Sequence, residues 1–142
     1  MQEPRKRALL RTALVVFGIV FVVGIPAMML WIWPAGWSWT PRQYEYEQML
    51  MGIYATLGVF LIRAARDPLA HASLVWFTVW SSIVHGAIML VQAIVDPTER
   101  ANLLGDVPAL FLVAAVLWYL MPTGQTRERS DPGGATAASG AS

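Results

Sequence analysis

Charged residues in this chain are gathered into short clusters, and four stretches between them carry none. These are Thr12–Pro41, Gln48–Ile62, Pro68–Val95 and Val107–Thr126, of 30, 15, 28 and 20 residues. A membrane-crossing helix needs about 20 apolar residues, so the pattern predicts four membrane helices and no strand. Their expected bounds are 9–33, 41–65, 68–95 and 106–121. Together they make one all-α, four-transmembrane-helix bundle over residues 9–121, with a short cytoplasmic segment, 1–8, before it.

Local signals set these bounds. Arg5-Lys6-Arg7 before an apolar run resembles a secretory signal. The run from Thr12 to Trp33 is too long for one, however, and bulky Met28, Met29, Leu30, Trp31 and Trp33 fill the place of a cleavage site. It reads as an uncleaved anchor, with Pro26 as its expected kink. Trp31, Trp33, Trp37 and Trp39 mark an interface crossing, because indole combines an apolar body with one N–H. Thr40, Pro41 and Gln43 read as a capping box that opens the second helix. The uncharged core of that helix spans only about 22 Å, so it needs Tyr44 to Ala65 to reach across, with Arg63 snorkelling. Asp67-Pro68 is expected to open the third helix. Asp96-Pro97-Thr98-Glu99 reads as a second capping box, opening a short interfacial turn that Gly105 ends. From Pro122 the composition turns to Gly, Ala, Ser, Thr and Pro, so residues 122–142 are expected to form a disordered cytoplasmic tail.

The distribution of charge then orients the bundle. Four crossings put Arg5, Lys6, Arg7, Arg11, Arg63, Arg66, Arg127 and Arg129 on one side, eight of the ten cations. The positive-inside rule makes that side, and both termini, cytoplasmic. The expected location is the bacterial inner membrane. Overall composition agrees: 56% hydrophobic, 13% charged and a mean hydropathy of +0.51 exclude a soluble globule. The net charge of +1 says little, but the few cations never form a face broad enough to follow a phosphate backbone, which argues against nucleic acid as a partner. Cysteine is absent, which excludes disulfides and thiolate chemistry.

Candidate chemistry centres on the third helix. His71, Thr78, Ser81, Ser82, His85, Met89 and Gln92 fall within an arc of about 100°, while Trp76, Trp80, Ile83, Val84, Ala87 and Val91 occupy the opposite side. Polar residues of membrane helices turn toward the bundle, so the first set predicts the inner face. On the second helix Glu45, Gln48, Gly52, Thr56, Val59 and Arg63 form a comparable stripe, with Gly52 expected to admit a neighbouring backbone. If these helices are antiparallel neighbours, Gln48 is the expected partner of His85, and Tyr54 points elsewhere. His85 is the sole ionisable side chain deep in a span. It reads either as a neutral imidazole joining helices, the reading favoured here, or as a ligand contact.

The spacing of His71 and His85 resembles that of haem-carrying helices, but this chain supplies no second axial histidine. No Gly-rich phosphate loop, HExxH, GxSxG or paired catalytic carboxylate occurs. No carboxylate lies within a span for proton-coupled export either. No catalytic residue, metal site or cofactor is expected.

Met51-Gly52-Ile53-Tyr54 with Leu57-Gly58, Arg66-Asp67-Pro68, Ser81-Ser82-Ile83-Val84-His85-Gly86 with Met89 and Gln92, and Gly105-Asp106-Val107 carry a resemblance. Over roughly residues 45–121 the chain resembles a family of small bacterial four-helix integral membrane proteins classified as a domain of unknown function. The resemblance implies a four-helix membrane protein and supplies no activity. The expected function is a non-catalytic multi-pass bundle or accessory subunit, in contact with membrane lipids and with a second copy or another membrane protein. The alternative is a binding protein or redox subunit with a lipophilic ligand, quinone or haem, near His85. Candidate core or ligand contacts are His85, Gln48, Ser81, Ser82, Met89 and Gln92.

Overall fold

A computed structural model describes residues 3–32 and 43–122. Four helices account for most of them: α1 (Glu3–Ile32), α2 (Tyr44–Ala64), α3 (Ala72–Val95) and α4 (Asp106–Leu120), with a 3-10 segment, Pro97–Leu103, before α4. No strand occurs among the described residues. Three helical stretches, Glu3–Ile32, Ala72–Val95 and Pro97–Leu120, are long and apolar enough to cross a membrane. α2 does not reach that measure; Glu45 and Glu47 occupy its first turn and Arg63 its last.

α1 begins at Glu3 rather than Leu9, so the described part of the N-terminal segment is helical. At Pro26 the helix widens instead of breaking. π-helical turns, Val20–Gly24 and Met28–Ile32, flank Ile25–Ala27, and Gly24 and Met28 keep right-handed helical backbone. A mid-helix proline removes one N–H and crowds the carbonyl four residues back; a wider turn relieves both. Trp31 lies exposed at the end of α1, while Trp33, Trp37 and Trp39 lie outside the described residues.

The remaining boundaries correct several expectations. Gln43 has non-helical backbone and is the N-cap of α2, with no side-chain bond, so it is not the third residue of a capping box. Thr40 and Pro41 lie outside the described residues. Asp67 Oδ1 accepts a bond from the Ala70 N–H at 3.3 Å, but this caps only a turn. α3 itself starts at Ala72 with His71 as N-cap. Asp96 does cap the 3-10 segment: Oδ1 accepts from the Thr98 N–H at 2.8 Å and from the Thr98 hydroxyl at 2.7 Å. Glu99 does not close the box, because its Oε2 accepts from Asn102 instead. Residues 123–142 lie outside the described residues.

Packing runs α2–α1–α4–α3, with α2 and α3 meeting only lightly. The largest fully buried side chains, Leu10, Leu14, Leu61, Leu117, Val75, Val79 and Thr78, all come from the half of the bundle where α1 and α3 begin and α2 and α4 end. Lys6 Nζ lies 5.2 Å from the centre of the Tyr119 ring at the same end. Inside a bilayer, helices gain little from leaving one apolar medium for another, so close van der Waals fit decides which faces meet. α1 and α2 meet at Gly18 and Gly58, where a Cβ built on Gly58 would lie 2.6 Å from the Gly18 carbonyl oxygen. Gly86 brings α3 against Leu110 and Phe111 of α4.

The same contacts overturn the stripe expected for α2. Glu45, Gln48, Gly52, Thr56, Val59 and Arg63 are all exposed, and a Cβ on Gly52 would meet nothing within 4 Å. The face turned inward carries Glu47, Tyr54, Gly58, Leu61 and Ala64 instead. Thr56 needs no partner helix, since its hydroxyl donates to the Gly52 carbonyl at 2.8 Å.

Candidate functional site: the cleft between α2 and α3

α2 and α3 diverge around a cavity of about 330 Å³. Its floor is formed by buried Phe21 of α1, Tyr54 and Leu57 of α2, Ser82 and His85 of α3, and Leu110 of α4. Exposed Leu50, Ile53, Phe77, Val84 and Ile88 form the rim. The opening therefore faces sideways between two helices, toward the surface that acyl chains cover in a bilayer. Asp106 begins α4 one turn before Leu110, which puts it about 6 Å further along the axis.

Tyr54 and His85 are the polar centre. The Tyr54 hydroxyl lies 2.5 Å from His85 Nδ1. Their rings stack with centroids 6.0 Å apart and planes 23° from parallel, and Phe21 meets Tyr54 edge-on at 5.5 Å. A phenol is the better donor and imidazole the better acceptor, so the Tyr54 O–H donates to Nδ1 and the ring proton resides on Nε2. Both residues sit near the middle of their helices, since Tyr54 is the eleventh of 21 residues and His85 the fourteenth of 24.

The sequence-derived candidates separate in the structure. Ser81, Ser82 and His85 line the cavity. Met89 is half-buried beyond it, and Gln92 is exposed. Gln48 is exposed and does not bond His85; Tyr54 takes that place. His71 is exposed at the N-cap of α3, away from any inner face. Trp76 and Trp80 do not simply face outward either: both meet Trp118 of α4 edge-on, at 5.4 and 5.6 Å.

Tyr54 escapes the reading of the sequence because the polar stripe of α2 predicts a different inner face. The available signal was spacing: Tyr54, Gly58 and Leu61 recur at helical intervals with Glu47 one turn pair earlier.

No cluster of three His, Cys, Asp or Glu able to hold a metal occurs among the described residues. What the cleft offers is apolar walls with one hydrogen-bonded Tyr–His pair and two serines, one of which, Ser81, already donates to the Thr78 carbonyl. No curated protein and no solved structure matches the chain. A family model described as "Family of unknown function (DUF6632)" matches residues 4–136, well beyond the segment that carried the resemblance in the sequence. The chain, from the start of α1 past the end of α4, belongs to this family of unknown function.

Proposed function

We propose that the protein is a non-enzymatic, four-crossing integral membrane protein of the bacterial inner membrane that holds a lipophilic ligand in the α2–α3 cleft. The observation that carries the reading is the Tyr54–His85 pair, placed at mid-helix beside a cavity that opens sideways. A histidine that served only to join helices belongs in a closed seam, whereas α2 and α3 are the lightly packed pair of this bundle. α2 completes the fourth crossing by letting Arg63 and the first-turn glutamates reach the two headgroup layers. The cation count then sets both termini in the cytoplasm.

Quinone suits the cleft better than haem. His71 stands at a helix terminus and His85 turns Nδ1 to Tyr54, so one imidazole nitrogen remains for the cavity. The test is to purify the full chain from membranes in mild detergent, record its absorbance and identify extracted small molecules by mass spectrometry. A near-stoichiometric lipophile supports the reading. A Soret band shifts it to haem. Protein free of any retained molecule returns the family to a purely structural bundle or accessory subunit, in which Tyr54–His85 ties α2 to α3.

A further inference from the structure

Three hydroxyls lie in succession on α3, and only one is left for the cavity. The Thr78 hydroxyl donates to the Leu74 carbonyl at 2.9 Å, and the Ser81 hydroxyl donates to the Thr78 carbonyl at 3.2 Å. Ser82 differs. It is 5% exposed, lines the cavity, and makes no hydrogen bond with any described residue. The carbonyl four residues back, on Thr78, already takes the Ser81 proton. The Ser82 hydroxyl therefore has a proton free to donate to whatever occupies the cavity.

His85 presents a second donor beside it. With Nδ1 accepting from Tyr54, the proton on Nε2 has no acceptor among the described residues. Ser82 and His85 are three residues apart on one helix, so their Cβ atoms lie about 5–6 Å from each other on one face. Both donors can therefore converge on a single oxygen.

We propose that the cavity recognises a carbonyl oxygen carried on a hydrocarbon ligand, held jointly by the Ser82 hydroxyl and the His85 Nε2–H. This rests on the ligand-binding reading above and narrows it to a chemical class. A carbonyl oxygen has two lone pairs and no proton, which matches two converging donors. An alcohol oxygen could accept the same two bonds only by turning its own proton toward the apolar walls, and an amine has one lone pair for two donors. Phe21, Leu57 and Phe77 supply the apolar walls, and about 330 Å³ admits a ring with a short chain while the remainder of a tail leaves through the lateral opening. Two membrane sources carry this group: the ring carbonyl of a quinone and the ester carbonyl of an acylated lipid.

The test uses the full chain in nanodiscs of ether-linked phospholipid, which contain no competing ester carbonyl. Three probes with equal tails are titrated: decylbenzoquinone, a decanoate ester and decylbenzene. The ¹⁵N resonance of His85 Nε2 reads occupancy. The expected result is binding of at least one carbonyl probe roughly tenfold tighter than decylbenzene, with Ser82→Ala abolishing the difference. Preference for the quinone or for the ester identifies the source. Saturable but equal binding of all three probes overturns carbonyl recognition and leaves the ligand-binding cleft intact. Absence of binding by all three overturns both.

Discussion

Gly18 of α1 and Gly58 of α2 stand backbone to backbone: a Cβ on Gly18 would lie 2.8 Å from the Gly58 carbonyl oxygen, and one on Gly58 would lie 2.6 Å from that of Gly18. Neither neighbour is the flexible end of a side chain, so neither position can admit a methyl group without moving a helix. Gly58→Ala should therefore destabilise the bundle by about 1–3 kcal/mol, as overpacking does. Gly52→Ala, with open space around it, should be neutral or slightly stabilising through helix propensity. Unfolding of both variants in mixed micelles decides this, and equal loss at the two glycines would contradict the α1–α2 crossing.

The Tyr54–His85 bond makes a second, independent prediction. Tyr54→Phe and His85→Leu should be non-additive, with a coupling of about 0.5–1.5 kcal/mol in a double-mutant cycle. Gln48→Leu combined with His85→Leu should be additive, since Gln48 is exposed and His85 bonds Tyr54 instead. Strong Gln48–His85 coupling would restore the partnership that the spacing of polar residues alone suggests.

Topology can be read with fusions to the full chain. A reporter after Gly124 and one inserted at Asp67 should both be cytoplasmic, and one inserted near Arg100 should be external. The Asp67 reporter is the critical one because α2 is long enough to cross but is less apolar than the other three helical stretches. External activity there removes the second crossing.

Asp96 supplies a pH prediction outside the spans. Two hydrogen bonds from Thr98 favour its ionised form and hold the carboxyl below the usual aspartate value of 3.8. A group whose folded value is depressed contributes stability above its unfolded value and loses it as pH falls through the folded one. The Pro97–Leu103 segment should consequently loosen only at pH below the ordinary carboxylate range. Thr98→Val should raise the Asp96 titration midpoint, as followed by NMR. Full solvent exposure keeps the effect local to this turn.

Much of the architecture was open to reading because the membrane imposes it. A backbone that crosses hydrocarbon must satisfy every N–H and C=O within its own helix. Long uncharged stretches bounded by Arg, Asp-Pro and Gly-Asp therefore reveal helices directly, and Asp96 could be recognised as a cap from three letters. The N-terminal helix extended past its expected start because Glu3 and the following basic residues are also good helix formers beyond the apolar run. The third helix began later than Asp67-Pro68 suggested, since a proline start signal fits an isolated turn as well as a helix.

The orientation of α2 was not open to the same reasoning. Polar residues face inward only where they need a partner, and here Thr56 bonds its own helix while Glu45, Gln48 and Arg63 lie toward helix ends where headgroups and water are near. The sequence by itself determined the number, order and approximate extent of the helices, because local hydropathy and end chemistry act along one helix at a time. Only the tertiary structure decided that Gly58 rather than Gly52 forms the crossing and that Tyr54 rather than Gln48 meets His85. That choice depends on how closely two backbones fit at once, a property of a pair of surfaces that no single stripe of residues contains.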